Sequence, residues 1–91
     1  MNKVTPVEVQ STSVEKASRG LAFLREAILE LLRANPEGLR NTDIAKILAL
    51  ESEHEGKQRD YLTYSILGLL LRERKINKVK HGANTLYIFN L

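Results

Sequence analysis

The chain has 91 residues, a net charge of +3 and no cysteine. This length suits one domain with a modest core and leaves no room in these residues for a second, and the lack of cysteine excludes disulfide bonds and thiolate zinc sites. No stretch is apolar over the roughly 18 residues that a membrane-spanning helix needs, and no signal peptide is visible, so we expect a cytoplasmic protein.

The first residues are expected to form a tail. Residues 1–11 are polar, lack large apolar side chains and contain Pro6. Such a composition buries too little apolar surface to order a chain, which predicts a flexible tail at residues 1–11 and a single folded domain at residues 12–91.

A long helix should follow this tail. Thr12 and Glu15 have the spacing of a capping box, and Ser18 offers a later start. Asn35 and Pro36 predict its end. The apolar residues recur at alternating spacings of three and four and so share one face, which consists of Val14, Ala17, Leu21, Leu24, Ile28 and Leu31.

This apolar stripe has two interpretations. Its second half, from Leu24 onward, should face the core of the domain. Its first half extends beyond what a three-helix core usually covers, and either packs there as well or pairs with the same helix of a second chain. The second interpretation predicts a homodimer that uses Val14, Ala17, Leu21 and Leu24.

A second, shorter helix is predicted in the segment RNTDIAKILAL, residues 40–50. Asn41 or Thr42 is the expected N-cap, and Asp43 lies in the first turn, where the helix dipole favours a negative charge. The apolar spacing predicts a buried side made of Ile44, Ile47 and Leu48.

The next segment, ESEHEGKQRD at residues 51–60, lacks apolar side chains and is expected to be a loop or a solvated helical turn. Its carboxylates and His54 could bind a cation, but an acidic loop is usually only solvated, and we expect no metal and no cofactor. We also expect no enzymatic activity, since no nucleophile, base and orienting group stand at a recognisable spacing.

The third helix is predicted from near Gln58 to Glu73. Its buried side should consist of Thr63, Ile66, Leu67 and Leu70, with Leu62 beside them. The outer face would then carry Lys57, Tyr61, Tyr64, Ser65, Gly68 and Arg72. A solvated face normally carries Glu and Lys, so this one indicates contact with a partner, unless the tyrosines only cover a neighbouring loop.

A β-hairpin is predicted at the end of the chain, with strands at residues 76–80 and 85–90. The connecting segment HGAN contains Gly82 and Asn84, which tolerate the positive φ angles of a tight turn. The first strand is polar and basic, so only the second should be largely buried.

The charges are uneven along this order of elements. Residues 1–55 carry seven basic and nine acidic residues, a net charge of −2, whereas residues 56–91 carry seven basic and two acidic residues, a net charge of +5. A basic half either serves only to solvate a surface or binds a polyanion.

Three helices followed by a hairpin, over about residues 21–89, resemble the winged helix-turn-helix family of DNA-binding domains. The pattern around the second helix is carried by Gly38, Leu39, Asp43, Ile44, Ala45 and Leu48. The pattern that closes the third helix and opens the wing is carried by Leu67, Leu70 and Ile76. The chain departs from the family at Arg74, where glycine is usual at a left-handed cap position, and in its longer link between the second and third helices.

The resemblance implies a mainly α fold with a small β-hairpin (α+β): a three-helix core and a C-terminal two-stranded wing that bind double-stranded DNA. The candidates for reading bases are Gln58, Tyr61, Tyr64 and Ser65. The candidates for holding phosphates are Lys57, Arg59 and Arg72, with Gly68 allowing a close approach of the helix. The wing would add Lys78, Lys80, His81 and Asn84 along the backbone or in the minor groove.

The most direct function for such a domain is that of a small sequence-selective transcriptional regulator. Two alternatives stay open at this point: a DNA-recognition module associated with a restriction endonuclease, and a winged helix that uses its tyrosine-bearing face for contact with another protein.

Overall fold

A computed structural model of the chain describes residues 7–91, apart from the side chains of Val7, Glu8 and Gln58. The architecture is mixed α/β, with the three helices and the C-terminal antiparallel hairpin that the sequence predicts. It also contains a second, smaller hairpin that the sequence analysis did not predict. The elements in chain order are α1 (Val7–Ala34), α2 (Asn41–Ile47), β1 (Glu53–His54), β2 (Lys57–Gln58), α3 (Tyr61–Arg72), β3 (Ile76–His81) and β4 (Asn84–Phe89). Among residues 7–91, no helix is both long and apolar enough to cross a lipid bilayer.

The core lies where the three helices meet the C-terminal hairpin. Every helix contributes to it, and both β3 and β4 add one fully buried side chain. Its members are Ile28, Leu32, Ile44, Ile66, Leu67, Leu70, Ile76 and Tyr87.

Helix α1 begins earlier than predicted. It starts at Val7 rather than at Thr12 or Ser18, so the part of the expected tail that the structure describes is helical, while residues 1–6 lie outside the described residues. Every side chain from Val9 to Phe23 is exposed, and burial begins only at Leu24. The N-terminal half of α1 therefore extends beyond the domain. The helix ends at Ala34, directly before Asn35 and Pro36 as predicted.

The N-cap prediction for α2 was wrong. Arg40, in extended geometry, occupies the cap position, and its backbone N–H donates to Asp43 Oδ2 at 3.2 Å. The Arg40 guanidinium donates to both oxygens of the same carboxylate, which lowers the pKa of Asp43 below its usual value. Neither Asn41 nor Thr42 acts as the cap; Asp43 accepts from both the backbone N–H and the guanidinium of Arg40, which is the acidic half of a capping box.

The buried side of α2 also differs from the prediction. Ile44 and Ala45 are fully buried and Leu48 is half-buried, but Ile47 is 56% exposed. On a helical wheel the buried side is centred between Ile44 and Ala45, and Ile47 lies about a third of a turn away from that centre. The spacing rule cannot distinguish the two faces in a helix of only two turns.

The segment between α2 and α3 forms a hairpin instead of a loop or helical turn. Strands β1 and β2 pair through Glu53 with Gln58 and through His54 with Lys57. The turn residues between them, Glu55 and Gly56, have φ angles of 53° and 75°. Positive φ at both central positions matches the right-handed twist of two-residue hairpins, which explains how so short and polar a segment pairs.

Helix α3 starts at Tyr61, not near Gln58, because Asp60 is left-handed (φ 51°, ψ 47°) and interrupts the helix there. The buried face is the predicted one, with Thr63, Ile66, Leu67 and Leu70 inside. Leu62, which was expected beside them, is exposed.

The chain leaves α3 through Arg74, whose φ of 59° confirms the predicted left-handed position. The N–H of Arg74 donates to the carbonyl of Leu71, and the N–H of Lys75 donates to that of Leu70, both at 3.0 Å. This pair of bonds is the Schellman arrangement, which satisfies the last carbonyls of the helix and turns the chain into β3.

Strands β3 and β4 form the predicted C-terminal hairpin with slightly different limits. His81 pairs with Asn84, so the turn consists of Gly82 and Ala83. Gly82 has the expected positive φ, but Asn84 is the first residue of β4 and not a turn residue. Strand β3 is exposed after its first residue, whereas β4 is half-buried or buried from its second, which agrees with the polarity of the two strands.

Candidate nucleic-acid interface

The outer face of α3 presents two aromatic side chains to solvent. Tyr61 is 55% exposed and Tyr64 is 58% exposed. Ser65 and Arg72 are exposed on the same side of the helix, since they follow Tyr61 at helical spacing. The predicted outer face of the third helix therefore exists, apart from the residues that precede Tyr61.

Gly68 lies at the middle of this face. A methyl group added there would meet no atom within 4 Å outside its own helix turn, so the protein's own packing does not require glycine at this position. A helix surface without a side chain at its centre lets another molecule come close to the backbone.

The acidic side chains of the basic half are withdrawn from this face. Residues 56–91 contain two of them, Asp60 and Glu73. Asp60 is fully buried, and Glu73 accepts a hydrogen bond from the guanidinium of Arg25 on α1. The exposed charges that residues 56–91 contribute are consequently almost all positive.

A buried polar network sets the N-terminal end of α3 against α2. The Asn41 side chain donates to the carbonyl of Asp60 at 3.2 Å and accepts from the hydroxyl of Thr63 at 2.6 Å. The same hydroxyl lies 3.1 Å from the Asp60 carbonyl. Because Thr63 and Asp60 have no exposed surface, these bonds are shielded from water and fix the position of the helix start.

Ser52 fixes the other side of this junction. Its N–H donates to Asp60 Oδ1 at 3.0 Å, and its carbonyl accepts from the N–H groups of Arg59 and Asp60 at 2.9 and 3.3 Å. Its hydroxyl accepts from the N–H of Tyr61 at 3.2 Å, so Ser52 caps α3 from outside the helix. The base of the small hairpin is thus attached to the first residue of α3.

Tyr64 connects the outer face of α3 to the C-terminal hairpin. Burial raises the pKa of Tyr87, and the neighbouring Tyr64 raises it further through repulsion between the two phenolate charges. The two phenol groups therefore interact electrostatically. Tyr87 pairs directly with Lys78 across the hairpin, and paired residues in an antiparallel sheet project to the same side.

The hairpin separates the predicted wing residues into two groups. Lys78 and Lys80 alternate with their neighbours and share the side of Tyr87, towards α3. His81 and Asn84 pair with each other and project to the other side. All four side chains are exposed, but only the two lysines project to the side of Tyr87.

The residues predicted at the start of the third helix lie elsewhere. Lys57 and Gln58 form β2, and Arg59 follows it, so none of the three belongs to α3. Lys57 and Arg59 are exposed, while the side chain of Gln58 lies outside what the structure describes. The prediction failed because the left-handed Asp60 has no signature in the apolar spacing on which it rested.

One residue next to the face was missed. The ring of His54 on β1 packs edge-on against Tyr61, with 6.3 Å between the ring centroids. Six residues lie between the two in the sequence, and the hairpin turn brings them together. An exposed histidine in an acidic stretch gives no signal by itself that could have placed it here.

In the part of the chain that the structure describes, no three histidine or carboxylate side chains converge on a point where a metal ion could be held. Comparison of the chain with protein families, with curated proteins and with solved structures gave no match.

Proposed function

We propose that the protein is a sequence-selective DNA-binding domain of the winged helix type, most simply a small transcriptional regulator. In this proposal α3 lies in the major groove, and β3 and β4 form a wing on the adjacent backbone. Supporting observations are the order of the elements and the backbone bonds that join Leu39 to Tyr87, which place a third short extended segment beside β4.

The observation that carries the proposal is the charge of one surface. Lys78 and Lys80 project from the side of the C-terminal hairpin that carries the core residue Tyr87, towards α3, and the two acidic side chains of residues 56–91 are buried or paired elsewhere. A surface with aromatic and polar groups flanked by cations suits a duplex, where lysines neutralise phosphates and polar side chains reach base edges.

Fluorescence anisotropy with a labelled random-sequence duplex tests this proposal. Wild-type protein should bind, with an affinity that falls steeply between about 50 and 200 mM salt. Replacing Lys78 and Lys80 by Glu should abolish measurable binding, since two phosphate contacts become repulsive, and each lost contact removes about 0.9 from the slope of log affinity against log salt.

The matched control is the double change Lys16→Glu and Arg19→Glu, which alters net charge equally on the exposed half of α1. This variant should keep most of the affinity. Absence of wild-type binding at low salt, or equal losses in the two double variants, would contradict the proposal. Selection of bound sequences from a randomised duplex pool then tests selectivity, because a regulator must recover a defined motif.

A homodimer through α1 belongs to the same proposal. The exposed stripe of Val14, Ala17 and Leu21 continues towards the core residue Ile28, whereas Leu24 is already partly packed against the protein's own core. A helical segment this short, without tertiary contacts, is marginal in water, so a partner must cover it.

The flanks of the stripe favour a second copy as that partner. On a helical wheel Ser13, Ser18 and Gly20 border the stripe, while the charged Glu15 and Arg19 pair with each other on the far side. Two identical faces can therefore approach without like charges between them.

Light scattering after size exclusion tests the dimer. Val14→Glu should give a monomer, because it places two carboxylates in the interface. Phe23→Glu is the matched control: Phe23 is 68% exposed against 66% for Val14, but it lies on the opposite side of the helix. Equal masses for both variants and the wild type would rule out this face as the interface.

A further inference from the structure

We infer that the small hairpin of β1 and β2 is a second DNA-contacting element, in which His54 and Lys57 face the backbone of the duplex. This inference rests on the proposed function and extends it to a site at the other end of α3. It concerns double-stranded DNA as the partner and adds His54, which the sequence had indicated only as a possible cation ligand.

The hairpin is rigidly attached to α3. Ser52 lies directly before β1. Its N–H donates to Asp60 Oδ1 at 3.0 Å, and its carbonyl accepts from the N–H groups of Arg59 and Asp60 at 2.9 and 3.3 Å. Its hydroxyl accepts from the N–H of Tyr61, the first residue of α3. The Asp60 carboxylate that anchors it is fully buried. A hairpin closed at its base in this way keeps one orientation to the helix, as a binding element must.

The two sides of the hairpin differ in chemistry. His54 and Lys57 are directly paired and so project to one side, and the contact of the His54 ring with Tyr61 shows that this is the side of the outer face of α3. Glu53 is on the alternate side, with Gln58 as its partner position. The pleat therefore turns an imidazole and an ammonium towards the candidate interface and the Glu53 carboxylate away from it, while the carboxylate of the turn residue Glu55 lies 3.9 Å from His54 Nε2.

The two hairpins flank the helix. The small hairpin joins α3 at Tyr61 and the C-terminal hairpin follows its end at Arg72, so the two hairpins are attached to opposite ends of a twelve-residue helix, about 18 Å long. A duplex bound to α3 would thus be held at two separate places.

Anisotropy titrations with the full chain and the same labelled duplex test the inference. Lys57→Ala should weaken binding and reduce the salt slope by about 0.9, the value for one phosphate contact. His54→Ala should weaken binding by about fivefold, as expected for one lost hydrogen bond or ring contact. Glu53→Ala, on the other side of the same hairpin, should not weaken it.

Lys16→Ala controls for net charge, since it removes the same charge from the exposed half of α1. All four positions are exposed, and thermal melts should confirm that the variants fold. If wild-type protein binds and both His54→Ala and Lys57→Ala leave affinity and salt slope unchanged, this inference fails while the proposed function stands. If wild-type protein does not bind at all, the proposed function fails and the inference with it.

Discussion

Leu39 and Tyr87 exchange two backbone hydrogen bonds, of 3.1 Å from the N–H of Leu39 and 2.8 Å from the N–H of Tyr87. The bridge joins the segment before α2 to the middle of β4, although 48 positions separate the two residues. The C-terminal hairpin is consequently fixed on one side by this bridge and on the other by its connection to α3, and Gly38 lies directly beside the bridge.

Gly38→Ala should destabilise the protein strongly. Gly38 has a φ of 97°, and an added methyl group would lie 2.9 Å from Ile88 Cγ1 and 3.2 Å from the carbonyl of Tyr87. Backbone strain and overpacking together predict a loss of about 2–4 kcal/mol in the free energy of unfolding, measured by urea denaturation. A loss below the effect of an ordinary surface substitution would mean that the bridge is not rigid.

Arg74→Gly should stabilise the protein. Arg74 is left-handed at the end of α3, where a residue with a Cβ is strained and glycine is not. We expect a gain of about 0.5–1 kcal/mol in the free energy of unfolding. Arg74→Ala is the control, since it removes the charge but keeps the Cβ, and it should give no comparable gain.

Gly68→Ala separates stability from DNA binding. Because a methyl group at Gly68 meets no other part of the protein, the change should raise the free energy of unfolding by about 0.5–1 kcal/mol through helix propensity. If a duplex approaches the middle of α3, the same methyl group should weaken binding by about fivefold or more. A variant that is more stable than wild type and binds the duplex with the same affinity would show that DNA does not approach Gly68.

Tyr87 should make the protein less stable in alkali. Its pKa in the folded protein is raised, first by burial and then by Tyr64, so the neutral phenol is the form that the fold favours. The stability that this group contributes is complete below the pKa of an unfolded tyrosine, about 10, and is lost as the pH rises through the higher folded value.

The variant Tyr87→Phe cannot ionise and should lack this loss. Urea denaturation at pH values of about 8 and 11 should show the stability of the variant improving relative to wild type at the higher pH. Lysine deprotonation affects both proteins equally and cancels in the comparison. A constant difference between the two proteins across this pH range would contradict the raised pKa of Tyr87.

The sequence predicted the elements whose signals are local. The end of α1 at Asn35 and Pro36 and the buried face of α3 follow from helix breakers and apolar periodicity. The left-handed conformation of Arg74 was predicted from the resemblance to a family that usually has glycine at this position. The alternation of polar and apolar residues also placed the C-terminal hairpin to within a residue or two.

Predictions failed where a local sequence pattern was compatible with more than one structure. Asn41 was expected to cap α2, but its amide bridges α2 and α3 and Arg40 takes the cap position. The segment from Ser52 to Arg59 was expected to lack strands because it lacks apolar residues, and its pairing depends on a turn with two positive φ angles. The role of Asn41 is decided by its hydrogen bonds to Asp60 and Thr63, which are distant in the sequence.

By itself, then, the sequence determined which residues are apolar, basic or helix-breaking, and hence three helices, a terminal hairpin and a basic C-terminal half. Only the tertiary structure decided which charges meet on one surface. Lys78 projects to the core-facing side of the C-terminal hairpin because it pairs with Tyr87, and His81 faces away because a strand alternates its side chains. Packing sets such orientations through contacts between distant residues, and no spacing within a single segment encodes them.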